Sequence, residues 1–195
     1  MVNEAQLVKE LRGKTGAGIM DCRRALQETD WNIEQAIDEL RKKGAQIAAK
    51  KSGRATNAGQ VGTYIHMGGK IGVLVEVNCE TDFVARNEKF DQFVKDIAMH
   101  IAAAAPLYID REEVPQDVLE REKAIHLESV QGKPENVVEK IVEGKLEKFY
   151  KEICLLEQPY VKDDKQTIRE YLTKVIAETG ENMTIKRFSR YVLGE

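Results

Sequence analysis

The sequence predicts an α+β protein. Residues 1–44 read as a three-helix bundle, 45–59 as a short helix and linker, and 60–195 as a core built on a three-stranded antiparallel sheet with packed helices. Three observations carry this reading. Apolar residues near the N-terminus recur at helical spacing around a Gly-Ala-Gly break. Two strand-like runs flank Gly68-Gly69, the pattern of a hairpin. Helical stripes then separate that hairpin from a third extended run near the C-terminus, which suggests an antiparallel sheet with helices against one face.

The first helix carries Leu7, Val8 and Leu11, and Gly16-Ala17-Gly18 breaks it, because glycine supplies backbone angles that other residues avoid. The second places Ile19, Cys22 and Leu26 on one face. Asn32 is set to cap the third, with Gln35 three residues on, a variant of the capping box. Ile33, Ala36, Ile37 and Leu40 form its buried stripe, and Gly44 suits its C-terminal stop. Residues 45–59 start helix-prone, turn basic at Lys50, Lys51 and Arg54, and end small and polar, as a short helix running into a linker does. Those three cations suit either a solvated linker or contact with a phosphate or an acidic partner. In the core, Val61–Met67 and Lys70–Asn78 read as strands. Pro134 suits a first helical turn, and Val137, Val138, Ile141, Val142, Leu146 and Phe149 continue that helix. Ile168, Tyr171, Leu172, Val175 and Ile176 make another, closed by Gly180. Met183–Leu193 is the third strand.

Composition narrows the function. The chain has 195 residues, 42% of them hydrophobic, enough for one real core and a small appended unit. Charged residues make up 32%, yet the net charge is −3, which argues against a dedicated nucleic-acid binder. No apolar run approaches the roughly 20 residues of a membrane span, and the N-terminus lacks a signal-peptide pattern. Cys22, Cys79 and Cys154 are odd in number and far apart, which fits reduced thiols in the cytoplasm. No Cys or His spacing resembles a metal site, and no cofactor is expected. No nucleophile elbow, phosphate-cradling loop or dinucleotide fingerprint is present, so the reading is not an enzyme.

The segment Asn78–Asn87 is the most informative. Before it, Ile71, Val73, Val75 and Val77 alternate as in a half-buried strand. After it, Phe90, Phe93, Val94, Ile97, Ala98, Ile101 and Ala102 repeat as a helix. An acid and a phenyl ring, Asp82 and Phe83, stand at the junction. Two readings are open. Either Thr81 or Asp82 caps the helix and Phe83 tops the core, or the Asp-Phe pair is pushed into a partner. Phe83 precedes Phe90 by seven residues, but Arg86 and Asn87 between them are polar, so the stripe starts at Phe90. On the second helix, Met20, Arg23, Arg24 and Gln27 share a face. It reads equally as an interface anchor or as a core-edge methionine among solubilising charges. The loop length at Gly68-Gly69 sets which way His66 points, and the spacing leaves that open.

These segments resemble the bacterial elongation factor Ts family. Leu7-Val8-Lys9-Glu10-Leu11-Arg12 followed by Thr15-Gly16-Ala17-Gly18-Ile19-Met20-Asp21-Cys22 is similar to that family's opening, and Val75–Ala85 to its central motif. Gly132-Lys133-Pro134, Val142-Glu143-Gly144-Lys145 and Gln158-Pro159-Tyr160-Val161 are further matches. The resemblance implies a guanine-nucleotide exchange factor for elongation factor Tu, with an N-terminal unit similar to ubiquitin-associated three-helix domains. It puts Thr81, Asp82, Phe83 and Val84 where the family dislodges magnesium from Tu, and it puts contacts to Tu at Arg12, Ile19, Met20, Arg23, Lys51 and His66. Many relatives have two similar core halves, a coiled-coil insertion and a C-terminal helical module. This chain looks like a short form with one core unit, which implies a homodimer and a two-plus-two complex with Tu. Two rivals stand beside this reading: a generic adaptor using the three-helix bundle, and an enzyme using Cys79 or His66.

Overall fold

A computed structural model describes residues 3–130 and 134–195, so Gly132 and Lys133 of the Gly-Lys-Pro match lie outside the described residues. Helices α1 (Glu4–Thr15), α2 (Ile19–Glu28) and α3 (Ile33–Lys51) come first, then strands β1 (Ala58–His66) and β2 (Ile71–Cys79). Helices α4 (Asp82–Ala85), α5 (Glu88–Ala104), α6 (Gln116–Glu128) and α7 (Glu135–Ile153) follow. The chain ends with β3 (Pro159–Tyr160), β4 (Asp163–Thr167), α8 (Ile168–Thr179) and β5 (Met183–Val192). The main sheet is three-stranded and antiparallel, in the order β1-β2-β5, and the fold is α+β as the sequence predicts. Among the described residues, no helix is long and apolar enough to cross a membrane.

The chain forms two compact units. The first comprises Met1–Gln60, Val77–Phe93 and Glu170–Thr184; the second comprises Val61–Glu76, Val94–Arg169 and Ile185–Glu195.

In the first unit the three N-terminal helices close on Leu11, Cys22, Ala25, Leu26 and Ala36, with Leu7, Val8, Trp31 and Leu40 packed around them. The Asn3 side chain accepts from the Gln6 amide to start α1, and Asn32 accepts from the Gln35 amide at 3.1 Å to start α3. Gly16 ends α1 in the left-handed region at φ 71°, and its amide donates to Arg12 O. The buried face of α2 is Cys22, Ala25 and Leu26, and Ile19 sits at its edge, 54% exposed. One expectation fails here: Gly44 does not stop α3. The helix runs on through Lys51, and Gly44 is buried where a β-carbon would touch Ala177 at 3.6 Å, so it is a packing position.

In the second unit, a β-carbon on Gly62 would run into Val94 of α5, which shows how closely that helix lies on β1. Val73 and Val75 of β2 and Ile97 and Ile101 of α5 are all buried. His100, fully buried, accepts from the Val161 amide through Nδ1 (3.3 Å), which leaves Nε2 to donate to Gln158 Oε1 (2.9 Å). Gln158 in turn donates to Glu152 O and Ala104 O. The Gln-Pro-Tyr-Val motif is thus a structural clasp. Arg111 holds Glu147 with both terminal guanidinium nitrogens (2.6 and 2.7 Å) and also reaches Glu157, and this holds the Glu147 carboxyl below its ordinary range. The β3–β4 pair was not anticipated, because Asp163–Thr167 is polar throughout and carries no alternation.

Candidate functional site

The strand-to-helix junction lies in the first unit. β2 ends with Cys79 buried, the chain turns through Glu80 and Thr81, and α4 follows for four residues only. Phe83 on α4 is 89% exposed, whereas Phe90 at the start of the α5 stripe is fully buried. The core-topping reading of Phe83 is thereby overturned: a four-residue helix anchored through buried Ala85 turns the ring to solvent. Asp82 is exposed beside it, and Val84 is half-buried.

Thr81 occupies the N-cap position but makes no side-chain cap. Its hydroxyl instead donates to Glu181 Oε1 at 2.6 Å, and its amide donates to Glu181 Oε2 at 3.0 Å. Next door, the Asn182 amide donates to Glu80 Oε1 at 2.6 Å and, as the leading cause, holds that carboxyl below its ordinary range. The Cys79 thiol donates to Thr81 O. Burial first, and then the Glu181 carboxylate, push this thiol up to about 11, so it stays protonated at neutral pH and makes a poor nucleophile.

The other predicted residues fall in four places. Arg12, Ile19 and Arg23 line one open groove of about 630 Å³ with Val8 and Trp31. Met20 stands on α2 beyond the buried stripe, 67% exposed. Lys51, at the end of α3, donates to Gly180 O. His66 belongs to the second unit. It is exposed, its Nδ1 lies 3.1 Å from the Tyr64 hydroxyl, and the two rings stack at 5.8 Å. Its loop proves to have four residues, 67–70, closed by the Gly69 and Lys70 amides donating to His66 O. Sequence reasoning missed Glu181 and Asn182. Their partners Thr81 and Glu80 stand 100 and 102 residues away, beyond any local periodicity, and Gly180 just before them signals only a helix stop.

Comparison with known proteins gives one answer. The family model described as Elongation factor TS matches residues 6–195. The elongation factor Ts of Geotalea uraniireducens is 64% identical over 193 residues, covering 98% of this chain and 89% of that protein. That of Geobacter sulfurreducens is 62% identical over the same length and shares. That of Nitratidesulfovibrio vulgaris is 60% identical over 196 residues, covering 100% of this chain and 98% of that protein. Similarity of this extent along nearly the whole length means that the chain belongs to the elongation factor Ts family.

Proposed function

We propose that this chain is a translation factor of the cytoplasm that binds elongation factor Tu carrying GDP, disturbs its magnesium and phosphate site through Thr81, Asp82, Phe83 and Val84, and promotes GDP release so that GTP can bind. The observation that carries the reading is Phe83, a large apolar ring 89% exposed beside an exposed carboxylate on a four-residue helix. A ring so placed contributes nothing to the core and is available to a partner.

Linkage defines the mechanism. A factor that prefers nucleotide-free Tu lowers nucleotide affinity by the same ratio by which nucleotide lowers its own. Speeding release by about a thousandfold through such coupling requires roughly 4 kcal/mol, at about 1.4 per decade. Burying one phenyl ring yields about 1.5–3 kcal/mol. Phe83 therefore needs an anchor. The helical unit, similar to ubiquitin-associated domains in the family reading, supplies one: the groove lined by Arg12, Ile19 and Arg23, with Met20 beside it. Lys51 and His66 extend the contact in this reading. The factor itself catalyses no covalent step, needs no cofactor and touches no nucleic acid directly.

The working species is a homodimer that forms a two-plus-two complex with Tu. The outer face of the sheet in the second unit supports this. Val61 and Ile65 of β1, Leu74 of β2 and Tyr191 of β5 are each about half exposed or more. The Arg187–Glu76 ion pair at 2.7 Å and Gly72 beside Ile65 put them on one side. Such an apolar sheet face is suited to pairing with a second copy about a two-fold axis.

The experiment is release of fluorescent GDP from purified Tu with and without the chain. Strong acceleration that saturates with factor is expected. No acceleration together with no binding to Tu would favour the adaptor reading.

A further inference from the structure

We propose that Glu181 is a positioning residue: its carboxylate, in the turn between α8 and β5, holds the Asp82-Phe83 tip in place. This rests on the exchange reading above and assigns to it a residue outside the Thr81–Val84 motif.

Helix α4 has four residues, too few to be stable by its own hydrogen bonds. Phe83 and Asp82 are exposed, so packing cannot fix them. Their position must come from the shoulders of the tip. On the far shoulder Ala85 is buried, and its carbonyl accepts from Gln60 Nε2 at 2.5 Å. On the near shoulder, Thr81 gives both its amide and its hydroxyl to the one carboxylate of Glu181. A charged acceptor taking two donors is stronger and more directional than the neutral cap a threonine normally makes.

The arrangement is reciprocal. Glu181 accepts from Thr81, while Glu80, the residue before Thr81, accepts from the amide of Asn182. Two adjacent residues on each segment thus exchange carboxylate–amide bonds. Asn182 is 3% exposed, and its side chain donates to Ser52 O (3.3 Å) and Arg54 O (2.8 Å). Lys51 donates to Gly180 O. A three-residue turn, 180–182, therefore fastens the end of α3 and the root of the tip together. A lever that must press on a phosphate and magnesium site needs such a support, because loss of an ångström of placement can remove most of its effect.

The test compares Glu181→Ala with Glu181→Gln in GDP release from Tu, using the full chain. Alanine removes both bonds. Glutamine keeps both: its oxygen accepts from the Thr81 amide, and its NH2 donates to the Thr81 hydroxyl oxygen. Glu181→Ala is expected to lower the maximal rate at saturating factor by about threefold or more. The concentration for half-maximal effect should stay within about twofold, since the anchor is untouched. Glu181→Gln should restore the rate. Amide hydrogen exchange in the factor alone gives a second readout: Thr81 should be protected in the wild type and in Glu181→Gln, and should exchange about tenfold faster in Glu181→Ala. An unchanged maximal rate in Glu181→Ala, equal impairment of both variants, or an unprotected Thr81 amide in the wild type would each overturn the proposal. If Glu181→Ala does not fold, wild-type Thr81 protection and the maximal rate of Thr81→Val, which loses only the hydroxyl bond and should be partly impaired, decide it. If the wild-type chain fails to speed GDP release while Thr81 protection depends on Glu181 as stated, the exchange reading falls and the positioning contact stands.

Discussion

Phe83 and His100 show opposite uses of a single side chain. Phe83 is almost wholly in solvent, so removing its ring deletes little folded-state packing. Phe83→Ala should leave stability within about 0.5 kcal/mol of wild type, as exposed substitutions do, and should slow stimulated GDP release several-fold. A large fall in melting temperature with normal release would return the ring to the core. His100 is buried with both ring nitrogens committed, Nδ1 accepting and Nε2 donating. Burial lowers its pKa in the folded state. The unfolded chain, with an ordinary value near 6.5, then binds the proton that the folded state refuses. Stability is therefore undiminished by this group above about pH 6.5 and falls as the pH drops below that value. Urea midpoints between about pH 7.5 and 5.5 should drop more steeply in the wild type than in His100→Gln, whose amide can both accept and donate. Parallel slopes would show that His100 is not the titrating group.

At the scale of elements, the three-helix bundle and α4 have different tasks. The bundle spends its apolar residues on Leu11, Cys22, Ala25, Leu26 and Ala36, and leaves Met20 and the Arg12–Ile19–Arg23 groove outside. In the exchange reading the groove supplies binding and α4 supplies distortion. Arg23→Glu or Met20→Ala should raise the factor concentration for half-maximal GDP release while leaving the maximal rate nearly unchanged. For a contact at the centre of an interface the shift corresponds to about 1–2 kcal/mol, or roughly 5- to 30-fold. Titration of release rate against factor concentration checks this. A greatly reduced rate at saturation with normal binding would mean that the bundle also takes part in the distortion.

For the whole molecule, the exchange reading puts two copies at work. A three-stranded sheet carrying Val61, Ile65, Leu74 and Tyr191 in solvent is an apolar surface that a second copy can cover. Light scattering at micromolar concentration should give about twice the 22.1 kDa chain mass, and a two-plus-two assembly should form when Tu is added. Charge at the centre of the face, as in Leu74→Lys, should shift the factor towards monomer. A fully active monomer forming a one-to-one complex would show that one core unit engages Tu alone.

Local patterns fixed much of this protein in advance. Period-3.6 stripes gave α1, α2, α3, α5, α7 and α8, alternation gave β2, extended apolar runs gave β1 and β5, and Asn32 gave a cap, because each depends on residues a few positions apart. The polar residues between Phe83 and Phe90 already hinted that the ring leaves the core. Only the tertiary structure decided the rest. It carried α3 through Gly44 by packing that glycine against Ala177, and it left Ile19 at the edge of its stripe. It paired the polar β4 with β3, and it took the Thr81 hydroxyl from its capping role and gave it to Glu181. Each of these outcomes depends on a partner remote in the chain, and spacing within a segment carries no record of which distant donor or side chain will arrive beside it.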